Sequence, residues 1–129
     1  MVKQGNIIWL DFEPQPSPKG EGSPLDPQIG HEQKGRRPAL VISNETFNNF
    51  SKLAIVCPIT STDKKHPFHV KINEDIKTKG VILCDQARTL DIKARQYEFI
   101  ENISEDVLLE VIDIIYGFIE KEKTEEDKI

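Results

Sequence analysis

The segment SEDVLLEVIDIIYGFIE, residues 104 to 120, is where the apolar pattern of the chain changes its period. Its apolar residues recur every three or four positions, as they do on one face of an α-helix. Ser104 is a favourable N-cap, and Glu105 and Asp106 place negative charge on the first helical turn. Further apolar residues widen the surface beyond one stripe, namely Val107, Leu109 and Ile114. We therefore expect a closing helix near residues 104 to 120 that has a second apolar contact, such as a dimer partner.

The residues before this helix are predicted to form six short strands. They are short runs rich in β-branched and aromatic residues, at 6–12, 38–43, 52–60, 68–72, the beginning of 80–91, and 96–102. Such strands followed by one helix predict a mainly β fold, either a small, strongly bent antiparallel sheet or a partly open barrel. We expect one domain over residues 1–120 and an acidic, solvated tail over residues 121–129.

One segment cannot belong to this sheet. Residues 14 to 30 contain five prolines and three glycines. Proline has no N–H to donate to a β-ladder, so a long loop is expected here. A structureless loop of this length is usually functional or disordered.

The charge of the chain is unevenly distributed. Residues 101 to 129 hold ten acidic residues and three lysines, which gives −7, whereas residues 1 to 100 hold fourteen basic and twelve acidic residues, which gives +2. A mildly basic body is compatible with nucleic-acid binding despite a net charge of −5. The chain has neither a signal peptide pattern nor an apolar run that could span a bilayer, so a cytoplasmic protein without membrane contact is expected. Cys57 and Cys84 lie in apolar runs and are expected to be buried, reduced thiols.

The first candidate site is the segment GHEQKGRRPALVIS, residues 30 to 43, in which a cationic cluster precedes a strand. It is either a charged loop or an anion site. An anion site is chemically reasonable because arginine presents a rigid fork of donors that matches phosphate oxygens. The polar and charged residues concerned are His31, Glu32, Gln33, Lys34, Arg36 and Arg37.

Three further segments carry polar or aromatic side chains. PITST (58–62) places Thr60 and Ser61 where the third strand is expected to end, either as turn residues or as donors to a ligand. DQARTLD (85–91) places Gln86 and Arg88 on one face if the strand continues. KKHPFHV (64–70) combines cations and rings, including Lys65, His66 and Phe68, a mixture that suits single-stranded nucleic acid as well as a plain hairpin. The three histidines match no metal-ligand spacing, so no metal is expected.

The order of these motifs resembles the MazF/PemK family of bacterial toxins. The resemblance runs through GNIIWLDF (5–12), GHEQKGRRPALVIS, FNN, AIVCPITS, HPF, GVILCDQARTLD and KAR, over roughly residues 4 to 120. It implies an SH3-like barrel of the MazF–CcdB type closed by a C-terminal helix, and a homodimer. It also implies an endoribonuclease that cleaves single-stranded RNA at specific sequences without a metal or other cofactor. The implied partner is a cognate MazE-like antitoxin with an acidic, extended tail, and any contact with operator DNA would be made only through that antitoxin.

The implied reaction makes clear demands on the protein. RNA carries its own nucleophile, the ribose 2′-OH, whose attack gives a 2′,3′-cyclic phosphate and a 5′-OH. Arg37 is suited to stabilising the charged phosphorane. The resemblance assigns Arg37 and Thr60 as the acid–base pair, and His31, which titrates near neutrality, is the alternative proton carrier. The expected substrate-binding residues are Glu32, Gln33, Lys34, Arg36, Ser61, Lys65, His66, Phe68, Gln86 and Arg88.

Two other functions are compatible with the same fold. One is a non-catalytic barrel toxin that inhibits a topoisomerase, but in that group the C-terminal helix acts and the motif GHEQKGRRP is not needed. The other is a barrel that binds RNA or a partner without cutting RNA. The presence of Arg37 and Thr60 favours an enzyme over both.

Overall fold

The computed structural model of the chain describes residues 1–12 and 35–128. The proline-rich loop at residues 14–30 and four of the predicted site residues, His31, Glu32, Gln33 and Lys34, lie outside the described residues.

The described residues form seven strands and two α-helices. The strands are β1 (Asn6–Asp11), β2 (Arg36–Val41), β3 (Ala54–Thr60), β4 (His69–Lys71), β5 (Val81–Leu83), β6 (Arg88–Leu90) and β7 (Glu98–Asn102). The helices are α1 (Glu45–Ser51) and α2 (Glu105–Ile119), and the bounds of α2 differ by one residue from those that the sequence predicts. Ser104 caps α2 by accepting a hydrogen bond from the Val107 N–H at 3.2 Å. No helix in the described part of the chain is long and apolar enough to cross a membrane.

All strand pairs are antiparallel, as the sequence predicts. The hydrogen-bonded order is β4-β5-β3-β2-β1-β7, and β6 also pairs with β3. The described strands form an open path, because β4 and β7 at its two ends do not pair with each other. The resemblance implies a barrel closed by the C-terminal helix, and the described strands by themselves do not form a closed barrel. Val111 of α2 instead packs in one buried cluster with Val70 of β4 and Ile103, which follows β7.

The predicted strand within residues 80–91 is divided into two. The first half of β3 pairs with β6 (Ala54 with Leu90), and its last residues pair with β5 (Thr60 with Val81). Between them, residues Cys84–Gln86 form a turn of 3-10 helix. The expectation that Gln86 and Arg88 share one face of a continuous strand is thus wrong, because Gln86 belongs to the turn and only Arg88 to β6.

Both faces of the sheet are buried, because alternate residues of β1 and β2 enter two separate apolar clusters. Ile7 and Leu40 belong to the cluster under α2, whereas Ile8 and Ala39 belong to the cluster on the other face. Cys57 and Cys84 are free, buried and part of the α2 cluster, as expected. Burial raises the pKa of both thiols, that of Cys84 to about 12.

Candidate active site

A groove of about 340 Å³ lies where β2 begins and where β3 and β5 end. The side chains that line it come from four separate parts of the sequence, namely Arg37, Thr60, Thr62, Lys64, His69, Leu83 and Gln86. Three of these, Arg37, Thr60 and Gln86, are predicted site residues. The structure therefore brings together predicted residues that are as far as 49 positions apart (86 minus 37).

Arg36 and Arg37 are separated by the alternation of β2. Arg37 lines the groove, whereas Arg36 donates a hydrogen bond to the Gln96 carbonyl at 2.9 Å and lies 3.7 Å from a Glu98 carboxylate oxygen. Successive side chains of a strand point to opposite faces, which explains the separation. Arg36 was expected to bind substrate, but its side chain is held on the surface formed with β7, away from the groove.

The position of Thr60 is fixed by a close backbone approach. Gly80 lies opposite the end of β3 with a φ of +126°, and a Cβ on this residue would lie 2.3 Å from the Thr60 carbonyl oxygen. Only glycine can occupy such a position without displacing its neighbour. The Thr60 hydroxyl accepts a hydrogen bond from the Thr62 N–H at 3.3 Å. Ser61, between them, is exposed and does not line the groove.

His69, the first residue of β4, is a groove residue that the sequence-based prediction of the site does not include. Its Nε2 atom lies 3.3 Å from Asp85 Oδ1, and its Nδ1 atom is buried without a hydrogen-bond partner in the described structure. A buried Nδ1–H without an acceptor would be costly, so the tautomer that carries the proton on Nε2 and donates it to Asp85 is favoured. The alternation of FHVKI makes His69 face the groove, a signal that could have identified it.

The remaining predicted residues lie around the groove or apart from it. Lys65 has its ammonium 3.8 Å from Asp63, whose pKa is lowered by a hydrogen bond from the Lys65 N–H. Arg88 is positioned over the ring of Phe12, 5.2 Å from its centroid, rather than in the groove. His66 stacks on His69 with ring centroids 4.6 Å apart, and Phe68 contacts His66, so both rings lie beside the groove wall. Lys64 and Thr62, which do line the groove, belong to two of the candidate segments but were not among the expected site residues.

One group of described residues has the chemistry of a metal site. A nitrogen of His66, a nitrogen of His69 and an oxygen of Asp85 lie within 4.8 Å of one another. Within this group, His66 Nδ1 accepts the Phe68 N–H at 3.1 Å and His69 Nε2 lies 3.3 Å from Asp85 Oδ1. The groove beside them carries Arg37 and Lys64. Two cations with hydroxyl and amide donors suit a phosphate oxygen better than a further cation.

The sequence of the chain matches a known family. Residues 3–118 match the family model described as the PemK-like, MazF-like toxin of type II toxin–antitoxin systems. The chain belongs to this toxin family.

Curated relatives in the PemK/MazF family carry endoribonuclease names. The chain is 40% identical over 92 residues to Endoribonuclease PemK of Escherichia coli, with 68% of the chain and 69% of that protein covered. It is 40% identical over 125 residues to Endoribonuclease MazF of Staphylococcus epidermidis, with 91% of the chain and 92% of that protein covered.

Solved structures of MazF proteins share the fold. MazF of Deinococcus radiodurans (Form-I) superposes with a TM-score of 0.74 at 35% identity, covering 93% of this chain and 97% of that one. A MazE–MazF structure of the same organism (Form-II) gives a TM-score of 0.71 at 30% identity, covering 94% and 97%.

Proposed function

We propose that this PemK/MazF toxin is an endoribonuclease that cuts single-stranded RNA, including mRNA, at specific sequences in the groove that contains Arg37 and Thr60. The observation that supports this most strongly is the convergence of a guanidinium, an ammonium, two hydroxyls and an amide on one cavity of about 340 Å³. The endoribonuclease names of the relatives agree with it.

The proposed reaction is an internal transesterification. The ribose 2′-oxygen attacks the adjacent phosphorus as its proton leaves, and the bond to the 5′-oxygen breaks as that oxygen takes up a proton. A 2′,3′-cyclic phosphate and a 5′-OH result. Arg37 donates to the non-bridging oxygens as their charge develops, and Lys64 adds positive charge on the same wall. The Arg37–Thr60 pair transfers the protons, with His31 as the alternative carrier.

The substrate is proposed to enter from the basic and aromatic rim of the groove. Gln86 and Ser61 orient the strand near the reacting phosphate, and Lys65, His66 and Phe68 hold the nucleotides beside it. Glu32, Gln33 and Lys34 are proposed to contact the same strand. Arg36 and Arg88 are not proposed to bind RNA in the groove, because their side chains are engaged with Gln96 and Phe12.

The assembly is proposed to be a homodimer formed through the outer face of α2. Leu109 and Tyr116 are 49% and 62% exposed and lie on the side of the helix opposite the buried Val111, and Ile119, which is 75% exposed, lies on the flank next to them. The open sheet and α2 together would form the barrel-like unit, residues 1–120, and residues 121–129 are proposed to be an acidic, solvated tail. A Tyr116→Asp variant that still sediments as a dimer would contradict the proposed interface.

The proposed protein partner is a MazE-like antitoxin, which would also make any operator DNA contact. Its acidic, extended tail would bind the cationic groove and exclude RNA. The MazE–MazF structure among the structural neighbours supports a partner of this kind. This binding should weaken with added salt, because charges are screened over about 10 Å at 0.1 M ionic strength. An antitoxin that binds tightly yet leaves cleavage unchanged would contradict a shared groove.

The function is tested by incubating the purified chain with a mixed-sequence RNA in EDTA. We expect cleavage at a limited set of sequences, with 2′,3′-cyclic phosphate ends that resist direct 3′ ligation. Inhibition of a topoisomerase with intact RNA would instead identify a non-catalytic toxin. RNA retention without cleavage would identify a binding module.

A further inference from the structure

Four aromatic rings form a continuous series of contacts that leads away from the groove. His69 in the groove wall stacks on His66 at 4.6 Å between ring centroids, and His66 meets Phe68 at 5.3 Å. Phe68 meets Phe118 of α2 edge-to-face at 4.7 Å. We call His66, Phe68 and Phe118 the aromatic platform. It connects the groove to the C-terminal helix, which contributes no side chain to the groove lining.

The rings of the platform contact one another and are nevertheless partly open to solvent. Phe118 follows the buried Val111 by seven residues, or two helical turns, so it lies on the core-facing side of α2. On that side Phe118 contacts Phe68, and both residues remain 41% exposed. Edge-to-face contact restrains the two rings without covering them. Large aromatic side chains left exposed in this way indicate an interaction surface.

The surroundings of the platform indicate which ligand it accepts. Lys64 lies in the groove wall, and Lys65 is exposed beside His66. Cations that follow a phosphate backbone, next to rings that offer their faces, are the combination that binds unpaired nucleotides. An acidic peptide would satisfy the cations but would gain little from the rings. A nucleotide satisfies both, because its phosphate and the π-face of its base occupy adjacent sites.

We propose that the aromatic platform is a base-stacking subsite for the nucleotide next to the scissile phosphate, and that Phe118 of α2 is one of its binding residues. The proposal rests on the proposed function, because it requires the scissile phosphate to lie in the groove. It makes the C-terminal helix part of RNA recognition in addition to its role in the core. Stacking tolerates any base, so the platform contributes affinity rather than the identity of the cleavage sequence.

The test measures binding without cleavage. The wild-type cleavage site is first mapped, and a fluorescent oligoribonucleotide is then made with a 2′-deoxynucleotide at that site, which removes the nucleophile. We expect Phe118→Ala to weaken binding about 5- to 150-fold, the range for one lost base stack. Phe118→Leu keeps apolar bulk against Phe68 and should fold normally while losing most of the stacking. The control is Phe50→Ala, because Phe50 is also an exposed phenylalanine, 86% exposed, but lies on α1.

A second comparison separates stacking from a general loss of structure. The base on either side of the cut site is removed in turn to leave an abasic nucleotide. Removing one of these two bases should weaken RNA binding to the wild type by about the same factor as the Phe118→Ala substitution does. Removing the same base should weaken RNA binding to the Phe118→Ala variant only slightly further. The variant should also raise KM with kcat unchanged, since stacking acts equally on the ground and transition states.

The outcomes distinguish a failure of the base-stacking subsite from a failure of the proposed endoribonuclease function. If the folded Phe118→Leu variant binds RNA as the wild type does, or if neither abasic position couples to Phe118, the platform is not a base-stacking subsite and Phe118 only packs against Phe68. If the wild type cuts no RNA, the proposed function fails and the subsite fails with it.

Discussion

Gly80→Ala should damage stability and catalysis together, because Gly80 fixes the backbone of Thr60. The new Cβ would lie 2.3 Å from the Thr60 carbonyl oxygen, whereas real Cβ contacts are not shorter than 3.0 Å, so the two backbones must separate by about 0.7 Å (3.0 minus 2.3). The φ of +126° adds backbone strain of about 1–3 kcal/mol for a residue with a side chain. A misplacement near 1 Å in an active site can cost about 10²-fold in rate, so we expect a loss of about 10- to 100-fold.

Two assays measure this effect, and a second glycine supplies the control. Urea unfolding should show a lower midpoint for Gly80→Ala, and initial rates on a defined RNA should fall by about 10- to 100-fold. Gly117 lies in α2, where an added Cβ would meet no neighbouring element within 4 Å, so Gly117→Ala should be neutral or stabilise the fold by up to about 1 kcal/mol. If Gly80→Ala unfolds at the wild-type midpoint and cleaves at the wild-type rate, the close approach does not position Thr60.

Three further predictions concern the scaffold. Burial would raise the pKa of Glu101, but hydrogen bonds from the Thr78 hydroxyl and the N–H groups of Lys77 and Thr78 outweigh it and lower the pKa below its ordinary value of 4.5. The ionised Glu101 therefore stabilises the fold above that value, and this stabilisation is lost as the pH falls through the folded-state pKa. The urea midpoints of Glu101→Gln and of the wild type should differ at pH 7 and converge in acid. Asn48→Ala should cost about 1–3 kcal/mol in urea unfolding, because the buried Asn48 amide bonds the Ser43 hydroxyl at 2.5 Å and the main chain. Native Cys84 should react with a thiol reagent far more slowly at pH 8 than the urea-unfolded chain does, and equal rates would contradict its burial.

The secondary structure followed closely from sequence because it depends on local patterns. Ser104 and the apolar period after it place α2 within one residue of its observed bounds. The break between β5 and β6 was not predictable in the same way. It arises because one edge of β3 pairs with two separate segments, and the 3-10 turn at Cys84–Gln86 between them leaves no periodic signal. The open sheet also depends on long-range packing, since α2 covers the core where strand pairing ends.

The candidate site was predictable only where residue chemistry was strong. Arg37 and Arg36 could be assigned to opposite faces from strand alternation alone, and the structure places them so. The alternation of β4 could have indicated that His69 faces the groove, whereas Lys64 reaches it through the path of the loop after β3, which sequence periodicity does not determine. The helical period assigns Phe118 to the core-facing side of α2 and gives no sign of exposure. Its exposed ring is visible only once α2 is seen to extend beyond the apolar cluster.

The most direct test of the groove as the site of RNA cleavage compares Arg37→Ala with Arg36→Ala in EDTA. Both variants remove one guanidinium from adjacent positions of β2, but only Arg37 lines the groove. Loss of a preorganised donor at a charged transition state costs about 10²–10³ in rate, so Arg37→Ala should lose at least that factor. Arg36→Ala should cleave at close to the wild-type rate and lose at most about 1 kcal/mol of stability, as expected for its exposed pair with Glu98. A folded Arg37→Ala variant that cuts RNA as fast as Arg36→Ala would contradict the assignment of the groove.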